Sequence, residues 1–326
     1  MSESLTNYLS CSLDQNQLGI AIKDTILSLG DASKQIAFSL SKNGLPDNQM
    51  GVPIGDTNSD GDFQKALDVF ADEAIIAEIA NKHVAAYFSE EQDKVLLLEP
   101  DGSLILCTDP LDGSSNIDNN LSVGTIFSIL PRMNDRFEAK YLENDALQPG
   151  VSQLASGFFI YGPQTTLMLT IGNGVAAFIL NNNEFVQMQW VPKLPLHGSQ
   201  FAINMSNTRF WSQKARDYIQ KCLDGLDGSF AKNYNMRWCG SLVADSWRIF
   251  REGGIFLYPE DRRKNYDTGR LRLVYEANPI AFLVEQAGGR ASNGKREILK
   301  IKPRAIHERV PLIFGSKGDV INYESQ

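Results

Sequence analysis

The chain has 326 residues, of which 43% are hydrophobic and 21% charged, and its formal net charge is −8. This composition is ordinary for a globular protein, and the length predicts about two domains. The acidic balance argues against a nucleic-acid partner, and the absence of an apolar run of ~20 residues argues against a membrane partner. Four scattered cysteines form neither a C-x-x-C pair nor a zinc motif, so we expect reduced thiols and a cytoplasmic location.

The first half begins with a long predicted helix. Apolar residues recur at helical spacing over Ile22–Leu40, and the pattern stops at Asn43. Residues 45–62 are rich in Gly, Pro, Asn, Asp and Ser and predict a loop, and a second helix is predicted over Leu67–Ile75. Short apolar runs then predict strands at Val95–Leu98, Leu104–Cys107, Phe158–Tyr161, Leu167–Ile171 and Val175–Leu180.

Two prolines in Val191–Gly198 interrupt this pattern, so we place a domain boundary between residues 192 and 193. The domains are then residues 1–192 and residues 193–326. The second half alternates helix and strand, at Leu242–Phe250, Ile255–Leu257, Tyr275–Gln286 and Val310–Phe314. Helices mixed with strands in both halves predict a layered α/β (α+β) architecture.

The sharpest motif is the polar segment Asp109–Asp118, which follows a predicted strand. Asp109 and Pro110 suit the first two positions of a turn, and such a turn brings the carboxylates of Asp109 and Asp112 to one side. The backbone amides that follow form a candidate anion cradle, from Gly113, Ser114 and Ser115. Two hard carboxylates beside a phosphate cradle predict a magnesium-phosphate site, against the alternative of an ordinary surface turn.

A second acidic set lies upstream and consists of Asp62, Asp68, Glu90 and Glu91. Each of these residues alone fits a solvated face or a helix start, so their function depends on whether the fold gathers them. Other phosphatase chemistries lack their motifs: the three histidines form none, no cysteine has an arginine six residues on, and no G-x-S-x-G occurs. Metal-activated water is the mechanism that remains.

Asp109–Asp118, with Leu121–Phe127 after it, resembles the metal and phosphate segment of class I fructose-1,6-bisphosphatases, members of the inositol monophosphatase/sugar phosphatase superfamily. Other segments are similar to the family in the same order, from about residue 60 nearly to the C-terminus. They are Gly61–Val69, Leu147–Gly150, Gly240–Asp245, Gly253–Pro259 and Gly269–Pro279. The resemblance implies a layered α-β-α-β-α sugar-phosphatase fold with a C-terminal domain that binds the sugar phosphate.

The resemblance also implies a site. Two or three Mg²⁺ ions per subunit, with Mn²⁺ as a substitute, would be held by Glu90, Glu91, Asp109, Asp112, Glu276 and the Leu111 carbonyl. The attacking water would be oriented and deprotonated by Asp62, Asp68 and Glu91. The substrate would contact Asp112, Gly113, Ser114, Ser115, Asn204, Tyr258 and Arg270. Arg237 would reach the distal phosphate from a neighbouring subunit of a homotetramer.

The activity implied is hydrolysis of the 1-phosphate of fructose 1,6-bisphosphate to fructose 6-phosphate and phosphate, in gluconeogenesis or the Calvin cycle. One alternative is a sedoheptulose-1,7-bisphosphatase or a dual-specificity bisphosphatase. A remoter enzyme is an inositol-monophosphatase-like one. A different class of protein is a catalytically silent metabolite-binding protein on the same fold.

The chain departs from the family pattern at particular positions. Arg270 replaces a common lysine, while Trp238 and Asn207 replace tyrosines that bind the 6-phosphate in many members. AMP-regulated members open their first helix with a Gly-Thr-rich loop, which Leu18–Lys23 lacks. Charged residues that assist there are also missing, although Arg132 lies next to one such position. We therefore predict a degenerate regulatory region, with either insensitivity to AMP at physiological concentration or regulation by another ligand at the same interface.

Overall fold

The computed structural model describes residues 3–42, 53–57, 63–80, 83–264 and 266–326. Its helices are α1 (Leu5–Ser12), α2 (Gln17–Ser41), α3 (Ala66–Ile79), α4 (Ala139–Ala146), α5 (Gln213–Leu223), α6 (Leu242–Glu252), α7 (Asn278–Gln286) and α8 (Lys317–Glu324). Every helix within the described ranges is too short or too polar to cross a lipid bilayer.

The strands form two larger sheets and two small pairs. In chain order they are β1 (Pro53–Thr57), β2 (Phe63–Lys65), β3 (Val84–Ser89), β4 (Leu96–Leu97), β5 (Leu104–Asp112), β6 (Val123–Pro131), β7 (Ala155–Tyr161), β8 (Thr165–Thr170), β9 (Ala176–Asn181), β10 (Glu184–Gln187), β11 (Gln200–Ala202), β12 (Asn235–Met236), β13 (Ile255–Tyr258), β14 (Leu271–Arg272), β15 (Arg290–Ser292), β16 (Arg309–Val310) and β17 (Leu312–Gly315). The large sheet has the order β10-β9-β8-β7-β6-β5-β3-β4, and the second has the order β12-β11-β13-β17-β15.

Alternation along the strands of the large sheet separates two hydrophobic layers. Ile126 and Phe158 belong to one buried cluster, and their neighbours Phe127 and Phe159 belong to another. Successive side chains of a strand point to opposite faces, so each face of this sheet is buried under a different layer. Helices α1, α2 and α3 cover the face of Phe127 and Phe159, as in the packing of Ile26 with them.

The same pattern builds the other layers. Helices α6 and α7 fill the space between the two sheets, where Val243 and Leu283 are fully buried. On the far face of the second sheet, α5 and α8 pack through Tyr218 and Val320 against Ile313. The result is a layered α-β-α-β-α arrangement, which confirms the predicted fold class.

Most of the predicted elements are confirmed, and three are corrected. Residues 53–57, predicted as loop, form β1, which pairs with β2; the rest of the predicted 45–62 loop lies outside the described residues. The strand predicted over Val310–Phe314 is two strands in different sheets, because Pro311 lacks a ladder N–H. The third correction, over Asp109–Asp112, concerns the site. The four cysteines are unpaired, as predicted.

Candidate active site

A polar cleft of about 520 Å³ is lined by residues from both halves of the chain. Strand β5, the segment after β3 and helix α3 reach it from the first half. Helix α6, the end of β13 and the segment around β14 reach it from the second half. Every metal-ligand residue inferred from the sequence lines this cleft: Glu90, Glu91, Asp109, Leu111, Asp112 and Glu276.

The turn predicted over Asp109–Asp112 is wrong in form, because these residues continue strand β5. The pairing runs from Asp109 opposite Ile126 to Asp112 opposite Gly124, so β5 holds one residue more than its partner strand. In a regular strand, residues three apart point to opposite faces, and the extra residue of a bulge removes that offset. The bulge therefore has the effect that was expected of the turn: it brings the carboxylates of Asp109 and Asp112 to one cleft.

The end of β5 is fixed against the start of α6. Asp112 Oδ2 accepts hydrogen bonds from Ser241 Oγ at 2.8 Å and from the Val243 amide at 3.0 Å. Gly113 then adopts φ +76°, and a Cβ there would lie 2.7 Å from Ser241 Cβ. Only glycine fits this close approach in a left-handed conformation, so the predicted bend at Gly113 is confirmed.

Glu276 joins Asp109 and Asp112 in one acidic group, although it lies far from them in the sequence. It lies in a π-helical turn, Leu273–Ala277, immediately before α7. One carboxylate oxygen from each of Asp109, Asp112 and Glu276 lies within 4.8 Å of the others, and all three residues are buried. The structure thus gathers residues that are more than 160 positions apart in the chain.

The upstream acids reach the same cleft. Glu90 and Glu91 follow β3, and Glu90 forms an ion pair with Arg272 at 2.5 Å. Asp68 lies in the first turn of α3, is 2% exposed and lines the cleft. Asp62 lies outside the described residues.

Burial and mutual repulsion raise the carboxyl pKa values in the cleft. Burial, followed by the charges of Glu90 and Asp68, raises the pKa of Glu91 to about 9. Burial raises the pKa of Glu276 to about 8, against the opposing effect of Arg272. Burial also raises the pKa of Asp112 to about 6, while the bonds from α6 and Ser241 lower it. The pKa of Asp109 is raised well above its usual range by burial and then by Glu90.

This donor set fits a divalent cation. Oxygen ligands from several carboxylates suit Mg²⁺, Ca²⁺ or Mn²⁺, whereas soft metals prefer sulfur or imidazole. A bound cation replaces the protons of clustered acids and offsets the repulsion between their carboxylates. The arrangement can therefore bind a hard metal beside an anionic group.

The substrate-contact residues inferred from the sequence fall into two groups. Those lining the cleft are Asp112, Gly113, Ser114, Ser115, Asn204, Tyr258 and Arg270. Arg237 is exposed and does not line the cleft of its own chain. Asn207 also lies apart, against a small cavity of about 10 Å³ beside Asn204 and Tyr258.

Sequence reasoning missed two contributors to the cleft and left the role of a third undecided. Arg272 supplies a cation to Glu90, and its position two residues after Arg270, inside Gly269–Pro279, was the available signal. Ser241 bonds Asp112 and caps α6, a role that a serine directly before a helical pattern indicates. Trp238, whose role the sequence left open, lines the cleft and stacks on Phe256 at 5.7 Å.

At the start of α2, by contrast, polar groups bind one another. The Asn16 side chain accepts from the Gly19 amide at 2.8 Å, so it caps the helix. On the segment directly after β6, Arg132 likewise donates to the carbonyls of Pro100, Gly102, Asn134 and Asp135. Its guanidinium therefore holds two backbone segments of its own chain.

Comparisons with known proteins cover nearly the whole chain. Residues 10–189 match the family model "Fructose-1-6-bisphosphatase, N-terminal domain", and residues 194–326 match "Fructose-1-6-bisphosphatase, C-terminal domain". The chain is 44% identical to a class 1 fructose-1,6-bisphosphatase of Xanthobacter autotrophicus over 98% of each chain. It is 47% identical to one of Nitrobacter hamburgensis, with 99% of this chain and 93% of the relative covered. A crystal structure of Leishmania major fructose-1,6-bisphosphatase in holo form superposes with a TM-score of 0.92 at 30% identity, over 100% of both chains.

Proposed function

We propose that this chain, which belongs to the class 1 fructose-1,6-bisphosphatase family, hydrolyses fructose 1,6-bisphosphate at its 1-phosphate. The observation that carries the proposal is the buried group of Asp109, Asp112 and Glu276 in a cleft that also holds polar groups for a sugar phosphate. Full-length relatives at 43–47% identity bear the name of this activity. The family thus supports the reaction, and the cleft supports its location.

Two or three Mg²⁺ ions per subunit are the cofactor proposed, with Mn²⁺ as a substitute. The ligands would be Glu90, Glu91, Asp109, Asp112, Glu276 and the Leu111 carbonyl. When bound, such ions lower the pKa of a coordinated water and neutralise charge on the phosphoryl group. The position of Asp112 favours this role, because α6 and Ser241 hold its Oδ2 and fix the direction of the carboxylate.

Removal of a proton from the attacking water is assigned to the acids upstream: Asp62, Asp68 and Glu91. A general base must lie within hydrogen-bond reach of the proton that it accepts. Glu91 and Asp68 both line the cleft that holds the proposed metal ligands, which favours this assignment. Asp68, held on the rigid first turn of α3, would orient the same water.

The substrate-binding roles follow the lining of the cleft. Ser114 and Ser115 begin a short 3-10 helix directly after Gly113 and would bind the 1-phosphate. Asn204, Tyr258 and Arg270 would contact the sugar and the distal phosphate. The guanidinium of Arg270 donates to Tyr266 Oη at 2.6 Å, which gives this cation a defined position.

Arg237 would complete the distal site of a neighbouring subunit, so we also propose a homotetramer. Its exposure in the single chain agrees with a role outside its own cleft. The domain boundary after residue 192, the cytoplasmic location, and the role in gluconeogenesis or the Calvin cycle stay predictions.

One assay tests the proposal: phosphate release with Mg²⁺ and without it, on several substrates at equal concentration. We expect Mg²⁺-dependent release from fructose 1,6-bisphosphate, with fructose 6-phosphate as the second product. Faster release from sedoheptulose 1,7-bisphosphate would favour the alternative bisphosphatase, and release from inositol monophosphate alone would favour the remoter enzyme. If none of these substrates released phosphate, the chain would be a silent metabolite-binding protein.

A further inference from the structure

A buried hydroxyl behind the acidic cleft joins three segments of the chain. Tyr87, on β3, is 1% exposed, and its Oη donates to Asp72 Oδ1 at 2.6 Å. The same oxygen lies 2.7 Å from Thr108 Oγ1. Asp72 also accepts a hydrogen bond from the side-chain amide of Gln92 through its second oxygen, Oδ2.

Each of these partners lies close in sequence to an acid of the cleft. Asp72 lies one helical turn after Asp68 on α3, and residues four apart share a helix face. Thr108 directly precedes Asp109, and its carbonyl accepts from the Glu90 amide at 2.9 Å. The Tyr87 hydroxyl therefore connects the segments that carry Asp68, Glu90 and Asp109.

We propose that Tyr87 is a positioning residue of the metal site: its hydroxyl, held between Asp72 and Thr108, sets the spacing of the acids on α3, after β3 and on β5. This inference rests on the proposed metal-dependent function. Side chains behind a metal site orient its ligands, and their loss commonly costs 10–100-fold in metal affinity.

Packing alone does not account for the tyrosine. A phenylalanine would fill the same space without burying a hydroxyl, and a buried hydroxyl is costly unless it is bonded. Here both partners of the hydroxyl are buried too, since Asp72 is 5% exposed and Thr108 is 0% exposed. The hydroxyl thus acts as a fixed link between α3, β3 and β5.

The test is direct binding of Mn²⁺ to the full chain, followed through the EPR signal of the free ion. Tyr87→Phe should raise the dissociation constant for Mn²⁺ by about 10-fold or more. The matched control is Tyr218→Phe, which also removes a buried hydroxyl, one that donates to the Asp319 carbonyl far from the cleft. This control should lose thermal stability without a change in Mn²⁺ affinity.

A second variant covers the case in which Tyr87→Phe fails to fold. Gln92 is only partly buried, so Gln92→Ala should fold, and it removes one support of Asp72. We expect a smaller rise in the same dissociation constant. Folded Tyr87→Phe with wild-type Mn²⁺ affinity, or folded Gln92→Ala with no change when Tyr87→Phe is insoluble, would overturn the inference.

The outcome separates this inference from the proposed function. Hydrolysis of fructose 1,6-bisphosphate by the wild-type chain tests the function, and Mn²⁺ binding tests the positioning role. If the wild-type chain binds Mn²⁺ but releases no phosphate, only the proposed function is contradicted. If the wild type is active and Tyr87→Phe binds Mn²⁺ normally, only the positioning role is contradicted.

Discussion

The polar groups of the acidic cleft lie crowded together, whereas those at the start of α2 and directly after β6 are hydrogen-bonded within the chain. In the cleft, one carboxylate oxygen from each of Asp109, Asp112 and Glu276 lies within 4.8 Å of the others, and burial, followed by the charge of Glu90, raises the pKa of Asp109. At the start of α2, Asn16 already occupies the Gly19 amide, and on the segment after β6 carbonyls of the chain accept hydrogen bonds from the Arg132 guanidinium. Binding a cation would lower the free energy of the acidic cleft. Binding an anion at the other region would require breaking hydrogen bonds within the chain.

Buried acids outside the cleft sharpen this contrast. Asp261 is buried and forms an ion pair with Arg263. Asp319 is fully buried, accepts from the Gly198 amide at 2.8 Å and lies 2.9 Å from His197 Nδ1. Buried charges are usually paired in this way. The crowding of Asp109, Asp112 and Glu276 therefore distinguishes the candidate active site from these paired acids elsewhere.

The largest effect is expected from Asp112→Asn, which removes one of the crowded carboxylates of the cleft. The asparagine can still accept from α6 through its amide oxygen, so the fold should survive, but the charge offered to a cation is lost. We expect turnover of fructose 1,6-bisphosphate to fall by about 10³-fold, or about 4 kcal/mol in barrier. Asp101→Asn, in an exposed turn, serves as the control. Near-normal Mg²⁺-dependent turnover of Asp112→Asn would remove this residue from the site.

A smaller effect is expected at Arg237, which tests whether the cleft is completed by another subunit. Losing one charge-assisted bond to the distal phosphate, worth about 1.5–3 kcal/mol, should raise KM by roughly 10–100-fold in Arg237→Ala. Turnover should fall less, because the contact is remote from the reacting phosphate. Steady-state kinetics decide it, and unchanged constants would argue against the distal-phosphate assignment.

The raised pKa values predict how pH acts on the metal-free chain. Glu91 and Glu276, with pKa values of about 9 and about 8, hold protons in the folded state that the unfolded chain releases near pH 4. Where the folded state binds more protons, the free energy of unfolding falls as pH rises. We therefore expect the Tm in EDTA to drop by a few degrees between pH 6 and pH 9.

Mg²⁺ should oppose this loss, since a bound cation replaces the protons. Melting curves with EDTA and with Mg²⁺ across the pH series give the measurement. The matched variant Glu276→Gln should flatten the dependence in EDTA. A Tm in EDTA that does not change with pH would contradict the crowding of acids in the cleft.

The smallest effect is expected for AMP, which tests the other side of the comparison. A phosphate at the start of α2 would have to displace Asn16 from the Gly19 amide, and Arg132 would have to leave its carbonyl partners. We expect no inhibition at micromolar AMP and fixed Mg²⁺. Half-inhibition in that range would mean that the region around α2 binds AMP despite its internal bonds.

The sequence determined the type of chemistry and most of the elements. The density of acidic and small polar residues in Asp109–Asp118 pointed to the metal-phosphate segment, and periodicity located α2, α3 and α6. These are local properties, since an element's pattern and a motif's composition are written in neighbouring residues. The family resemblance then supplied the candidate residues, and Glu276 could be found in no other way.

Tertiary structure alone decided how those residues meet. Spacing along the chain cannot show that Asp112 is held by α6, that Glu276 lies within 4.8 Å of it, or that Glu90 pairs with Arg272. Spacing also indicated a turn at Asp109–Asp112 where β6 imposes a bulge, because a strand's register depends on its partner. The Tyr87 hydroxyl belongs to the same class: a buried tyrosine has no sequence signature until the fold brings Asp72 and Thr108 to it.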